Sequence, residues 1–203
     1  MNQGTFVVLA SGRGTNFQAI ANRCADGYIP ARCIALISDN PDADALNKAK
    51  NMGIPDEVIN YRSFPDKDKY ELELLTVIRR YDPDLVVLAG YMRLLGRGIV
   101  EEFEGKMMNI HPSILPSFAG LHAQQQALDY GTKVSGCTVH FVTKDMDAGP
   151  VIIQRTVPVL DDDDEESLSE RILVEEHQAF PQSIKLFFEK KLQIEERWVR
   201  ILP

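Results

Sequence analysis

Unbroken apolar runs, rather than alternating ones, dominate the first half of the chain. Residues 5–10, 33–37 and 85–89 are such runs, bounded by Ser-Gly, Ser-Asp and Gly. Strands that read this way are buried on both faces, as in a parallel sheet covered by helices. Helical periodicity fills the gaps between them. It predicts helices over 16–25, over 43–52 closed by Gly53, and over 66–81, where Tyr70, Leu72, Leu75 and Ile78 form the apolar stripe. A short strand is expected at 58–60, a short helix and a buried strand at 107–110 next, and a helix over 122–130 ending at Gly131. Regular β/α alternation of this kind implies right-handed crossovers.

The pattern then changes. Residues 136–143 and 151–159 read as two strands with no helix between them, which favours an antiparallel pairing. A long helix over about 165–190, bent at Pro181, and a short extended tail complete the chain. The predicted class is α/β: a three-layer αβα arrangement with a mostly parallel Rossmann-like sheet and an antiparallel C-terminal hairpin. No linker, repeat or low-complexity stretch interrupts the chain, so residues 1–203 are expected to form one domain.

Charge narrows the partners. A formal net charge of −8 argues against nucleic acid, whose phosphates require clustered Lys and Arg. No apolar stretch is long enough to span a membrane, and none resembles a signal peptide, so a cytoplasmic protein is expected. Cys24, Cys33 and Cys137 are scattered and odd in number, which suits small core residues in a reducing compartment. The acidic run 161–166 lacks neighbouring His or Cys and precedes a helix, so capping is the better reading there and no metal is expected.

Candidate chemistry sits at predicted strand ends. Asn109 and His111 are two apart on an extended segment and so share a face, and Pro112 keeps His111 out of helix. Asp145 and Asp147 lie in a later loop flanked by Gly149 and Pro150, where a carboxylate could orient or charge the imidazole. The other histidines, His122, His140 and His177, each have an ordinary structural explanation. Ser11-Gly12-Arg13-Gly14-Thr15-Asn16 joins the first strand to the first helix. Phe17 stands where a dinucleotide fingerprint wants its third Gly, which weakens a ribose role for Asp39. The loop suits a single phosphate held by the Gly14 and Thr15 amides, the Thr15 hydroxyl and Asn16, or else a plain helix cap. Residues 90–95, Gly-Tyr-Met-Arg-Leu-Leu, could line a flat apolar ligand or simply cap the sheet.

Together, Ser-Gly-x-Gly-Thr-Asn at 11–16, Leu-Ala-Gly-Tyr-Met-Arg at 88–93, Asn-Ile-His-Pro-Ser at 109–113 and Asp-Ala-Gly-Pro at 147–150 resemble the phosphoribosylglycinamide formyltransferases. These are the folate-dependent transformylases of purine synthesis. The likeness runs over essentially the whole chain. It departs at Ala119, where Pro is expected, and at Lys67, where some members carry Arg.

The resemblance implies a catalytic group of Asn109, His111 and Asp147. It also implies ribonucleotide binding by Gly14, Thr15, Asn16 and Glu176. Folate contacts would come from Lys67, Met92, Arg93, Leu94, Leu95, Asn109, Thr143, Lys144, Asp145, Met146 and Asp147. Residues 1–105 would then be a phosphate-binding half and 106–203 a catalytic and folate-binding half. The implied co-substrate is 10-formyltetrahydrofolate, the implied acceptor glycinamide ribonucleotide, with no metal and with monomer and homodimer both open. In the implied reaction, Asn109 and a protonated His111 donate to the oxyanion of a tetrahedral intermediate, while Asp147 orients His111 and helps move a proton. A tRNA formyltransferase, a formyltetrahydrofolate hydrolase and a non-catalytic nucleotide-binding module are the competing readings.

Overall fold

In the computed structural model, which describes residues 3–203, the central strand β1 (Gly4–Leu9) carries Phe6, Val7, Val8 and Leu9 with no exposed surface at all. A strand with both faces covered has no polar positions to alternate, which is why its sequence is an unbroken run. β4 (Leu85–Leu88) is buried throughout for the same reason.

The chain divides into two compact units, one ending at Met108 and the other Asn109–Pro203. In the first, β1 pairs in parallel with β2 (Ala31–Ser38) on one side and β4 on the other, and β2 pairs in parallel with β3 (Asp56–Val58). The strand order is therefore β3-β2-β1-β4, followed by β5 (Met107–His111), which carries the chain across the unit boundary. The order reverses between β1 and β4. Such a switch point opens a crevice at the carboxyl ends of the two strands, where open α/β sheets bind ligands.

Helices α1 (Thr15–Ala25), α2 (Asp44–Asn51), α3 (Lys67–Tyr81) and α4 (Arg97–Glu102) provide the crossovers, with a 3-10 turn at Tyr61–Ser63. Phe17 and Ile20 of α1 are wholly buried, so this helix packs through a phenyl ring where a dinucleotide-binding helix would need close approach at a glycine. In α3 the buried stripe is Tyr70, Leu74, Val77 and Ile78, whereas Leu72 is 58% exposed. Three leucines within four positions leave the phase of that stripe open in sequence, and packing chooses Leu74.

In the second unit β5 is followed by β6 (Val134–Phe141) and β7 (Val151–Pro158), which pair antiparallel from Val134↔Pro158 to His140↔Val151. The mixed, mostly parallel α/β architecture expected from the pattern is thus observed. Between β5 and β6 lies α5 (Ala123–Tyr130), closed by Gly131 in the left-handed region at φ 78°. The acidic run ends in a capping box: Asp164 and Ser167 satisfy each other's backbone amides at the start of α6 (Glu165–Phe188). That helix continues through Pro181 and buries Leu168, Ile172, Ala179, Phe180 and Ile184.

The expected extended tail is a second antiparallel hairpin, β8 (Leu192–Glu195) with β9 (Trp198–Ile201). β3 lies two residues earlier than the pattern suggested, because a three-residue half-exposed strand leaves little apolar signal. No helix among the described residues is long and apolar enough to cross a membrane. Nor does any group of three or more His, Cys, Asp or Glu among them stand ready to hold a metal ion.

Candidate active site

Asn109 and His111 share one face of β5, as alternation requires, and His111 is 5% exposed. The Nε2 of His111 lies 2.8 Å from the Phe118 carbonyl, and its Nδ1 lies 3.4 Å from Oδ2 of Asp147. A carbonyl only accepts, so Nε2 carries a proton. The Asp147 carboxylate faces the other ring nitrogen at a longer, charge-contact distance. Asp147 has a left-handed backbone at φ 51°, a conformation Asp tolerates better than most residues. Its Oδ2 also accepts from the Gly120 amide at 2.9 Å.

His140 completes the cluster, although nothing in the sequence singled it out. Its Nδ1–H donates to the Phe141 carbonyl at 3.0 Å, which leaves Nε2 as an acceptor for Asn109 Nδ2 at 3.2 Å. That same Nε2 lies 3.7 Å from Oδ1 of Asp147. Burial is the main cause holding the His140 pKa below the usual histidine value, consistent with a neutral ring. One Asn109 N–H is thereby spoken for and the other remains for a ligand. Asn109 has a donor to spare, whereas Nε2 of His111 is taken by the Phe118 carbonyl and Nδ1 has only the longer charge contact with Asp147.

Two loops hold this cluster. Residues 118–120 supply the Phe118 carbonyl and the Gly120 amide, and Gln126 Nε2 donates to the Leu121 carbonyl beside them at 2.8 Å. Leu115–Pro116 is a cis peptide, and the segment leading to it is pinned by Thr138, whose hydroxyl donates to Ser113 O at 2.7 Å and accepts from the Leu115 amide at 3.0 Å. The Asp147 loop is pressed onto β6 at Gly149, where a Cβ would overlap the Phe141 carbonyl, and Arg197 donates to the Ala148 carbonyl at 3.3 Å. Lys144, Asp145 and Met146 are exposed in this loop, and the Thr143 hydroxyl donates to the Asp145 carbonyl at 3.3 Å. Glu176 is buried in the apolar stripe of α6.

In the first unit, Gly14 is the N-cap of α1 at φ 68°, a residue with no side chain to cap the helix, and the first turn carries no acid. The start of a helix favours an anion through its backbone amides and dipole. Gly14 is also required for packing, since a Cβ there would lie 2.6 Å from that of Ala45. Asn16 is buried and Thr15 half-buried. Lys67, Met92, Arg93, Leu94 and Leu95 come together around one cavity of about 230 Å³, with Tyr61, Tyr70 and Glu71. Lys67 Nζ stands 3.4 Å from Glu71, and Arg93 Nε donates to Asp39 at 2.7 Å with its guanidinium 4.1 Å from the Tyr61 ring centroid. Arg93 thus takes one carboxylate oxygen of Asp39, and the other, Oδ1, is buried without a partner.

An open α/β sheet with a carboxamide, an imidazole and a carboxylate gathered at a strand end defines an enzyme of group transfer at a carbonyl-like carbon. The formyl transferase family matches residues 5–184. The phosphoribosylglycinamide formyltransferase of Escherichia coli is 40% identical over 190 residues, covering 94% of this chain and 90% of its own. The structure of glycinamide ribonucleotide transformylase 1 from Symbiobacterium toebii superposes with a TM-score of 0.97 at 47% identity, covering 99% of this chain and 95% of that one. The trifunctional purine biosynthetic protein adenosine-3 of Drosophila melanogaster is 44% identical over 181 residues, but the chain spans only 13% of its length. The chain belongs to the formyl transferase family.

Proposed function

We propose that this chain transfers the formyl group of 10-formyltetrahydrofolate to the amine of 5-phosphoribosylglycinamide in purine synthesis, with residues 1–203 acting as one formyltransferase domain. The observation that carries the reading is the constellation of Asn109, His111, Asp147 and His140, in which one amide N–H is oriented yet unused. Near-full-length relatives that bear the name of this activity support it.

The neutral amine attacks the formyl carbon, and the carbonyl π-electrons move to oxygen. The free N–H of Asn109 donates to that oxyanion, and the imidazolium of His111 stabilises its charge at close range. Collapse breaks the bond to N10, which takes up a proton while the former amine loses one. Asp147, held by Gly120 and His111, carries that proton directly or through water. The start of α1 at Gly14, Thr15 and Asn16 binds the phosphate, and Glu176 accepts from the ribose hydroxyls. The cavity at 92–95 offers Met92, Leu94 and Leu95 to a pteridine, with the Lys67–Glu71 and Arg93–Asp39 pairs beside them. Thr143, Lys144, Asp145 and Met146 contribute folate contacts from the Asp147 loop.

An absorbance assay with glycinamide ribonucleotide and 10-formyl-5,8-dideazafolate tests this. Turnover should need both substrates and fall about a hundredfold or more in Asn109→Ala, His111→Ala and Asp147→Asn. Release of the formyl group without the ribonucleotide would make the chain a hydrolase instead.

A further inference from the structure

Ser11, the residue that follows Ala10 at the end of β1, is buried, and each of its polar atoms has a partner. Its amide donates to the Gly90 carbonyl at 3.0 Å, its Oγ accepts from the Met92 amide at 2.8 Å, and its carbonyl accepts from Asn40 Nδ2 at 3.1 Å. The next residue of the phosphate-type loop is held as well, because the Gly12 carbonyl accepts from the Ala45 amide at 3.1 Å. Beyond Met92 the ties continue. Arg93 is bound to buried Asp39, the neighbour of Asn40, and the Tyr91 hydroxyl is hydrogen-bonded to that of buried Tyr70. Residues 90–93 are thus anchored one after another, and two of those anchors are on Ser11.

These bonds span the switch point between β1 and β4. On the reading proposed above, the two loops they join take different substrates: 12–16 the phosphate and 92–95 the folate ring. We propose that Ser11 is a positioning residue that couples the two, so that filling the phosphate loop raises affinity for the folate ring and the reverse. The inference rests on that assignment of the loops. An anion drawn onto the amides of Gly14–Asn16 fixes the backbone that begins at Ser11. Because the Met92 amide hangs from the Ser11 hydroxyl and the Gly90 carbonyl from its amide, fixing one loop fixes the other. The coupling must be reciprocal, since it is a difference in binding free energy.

The test is the dissociation constant of 5,8-dideazafolate, which has no formyl group to lose, measured by calorimetry with and without saturating glycinamide ribonucleotide. Wild type should bind it about tenfold more tightly in the presence of the ribonucleotide. Ser11→Ala should bring that ratio to about one while leaving the affinity for ribonucleotide alone unchanged. Hydrogen exchange reports the same event: adding ribonucleotide should protect the amides of 92–95 in wild type and not in Ser11→Ala. A merely structural serine would weaken both binary affinities and keep the ratio. If Ser11→Ala fails to fold, Asn40→Ala releases the Ser11 carbonyl instead and should lower the ratio. Equal ratios in wild type and variant, or a wild-type ratio of one, overturn the coupling alone. Failure of wild type to bind either ligand or to turn over overturns the functional reading, and the coupling with it.

Discussion

The Asn109 carboxamide is aimed by His140: Nδ2 stands 3.2 Å from Nε2, and the opposite ring nitrogen is held as a donor by the Phe141 carbonyl. The ring can therefore only accept at Nε2 while it is neutral, and it dictates which way the amide faces. His140→Phe keeps the buried volume and removes the acceptor. Its kcat is expected to fall about tenfold to a hundredfold, less than loss of the Asn109 donor itself. KM for either substrate should change far less, because the donor matters most where oxyanion charge develops. Steady-state kinetics with both substrates varied will show this, and a kcat equal to wild type would refute the positioning role.

Gly14 is constrained twice over, by its left-handed backbone and by Ala45. Gly14→Ala is expected to cost about 1–2 kcal/mol for the backbone alone, with a further penalty for displacing α2. On the proposed phosphate role, KM for the ribonucleotide should rise well before KM for folate does. Equal effects on the two would show that the substitution simply loosens the whole sheet end.

How much of this was legible depended on whether neighbours in space were neighbours in sequence. β1 and β4 announced themselves because a strand covered on both faces has no polar residue to blur the run. Asn109 and His111 were legible because strand alternation places both on one face. His140 was not, since it lies 31 residues from Asn109 and reads as an ordinary strand residue until the register of β6 is known. The ties of Ser11 to Met92 and of Asp39 to Arg93 cross 81 and 54 residues and leave no local signal either. The hairpin β8–β9 was hidden by its polar residues: Gln193, Glu195 and Arg200 lie among the apolar ones, and Ile194 and Trp198 remain exposed.

All three cysteines are free thiols. Burial pushes the Cys24 thiol up to about 11 and the Cys137 thiol up to about 12, and it raises Cys33 as well. Since the thiolate is the reactive form, Ellman's reagent at mildly alkaline pH should label the native protein only slowly. All three should titrate at once in guanidinium chloride. Fast reaction of one thiol in the native state would mean that its surroundings open readily.

Stability should fall as the solution is acidified through the histidine range. Burial is the leading cause that lowers the pKa of His140, and burial also lowers that of His177, whose Nε2 has no hydrogen-bond partner. Unfolding exposes both rings and restores their usual value of 6.5. Just below that pH the unfolded chain binds protons that the folded chain does not, so stability increases with pH there. The contribution is complete above 6.5 and is lost progressively until the pH drops below the folded values. Carboxylates act lower down. Arg171 holds Asp163 far below the usual 3.8, and Asp161, Asp164 and Glu102 are also lowered, so their stabilisation persists through the histidine window. Melting temperatures between about pH 7.5 and 5 should therefore decline with acid, given the unperturbed histidine range. His177→Leu should flatten the curve, and it should also melt higher at neutral pH because a buried unpaired nitrogen is gone. A melting temperature that is constant or rises on acidification would mean that these rings are hydrated in the folded protein.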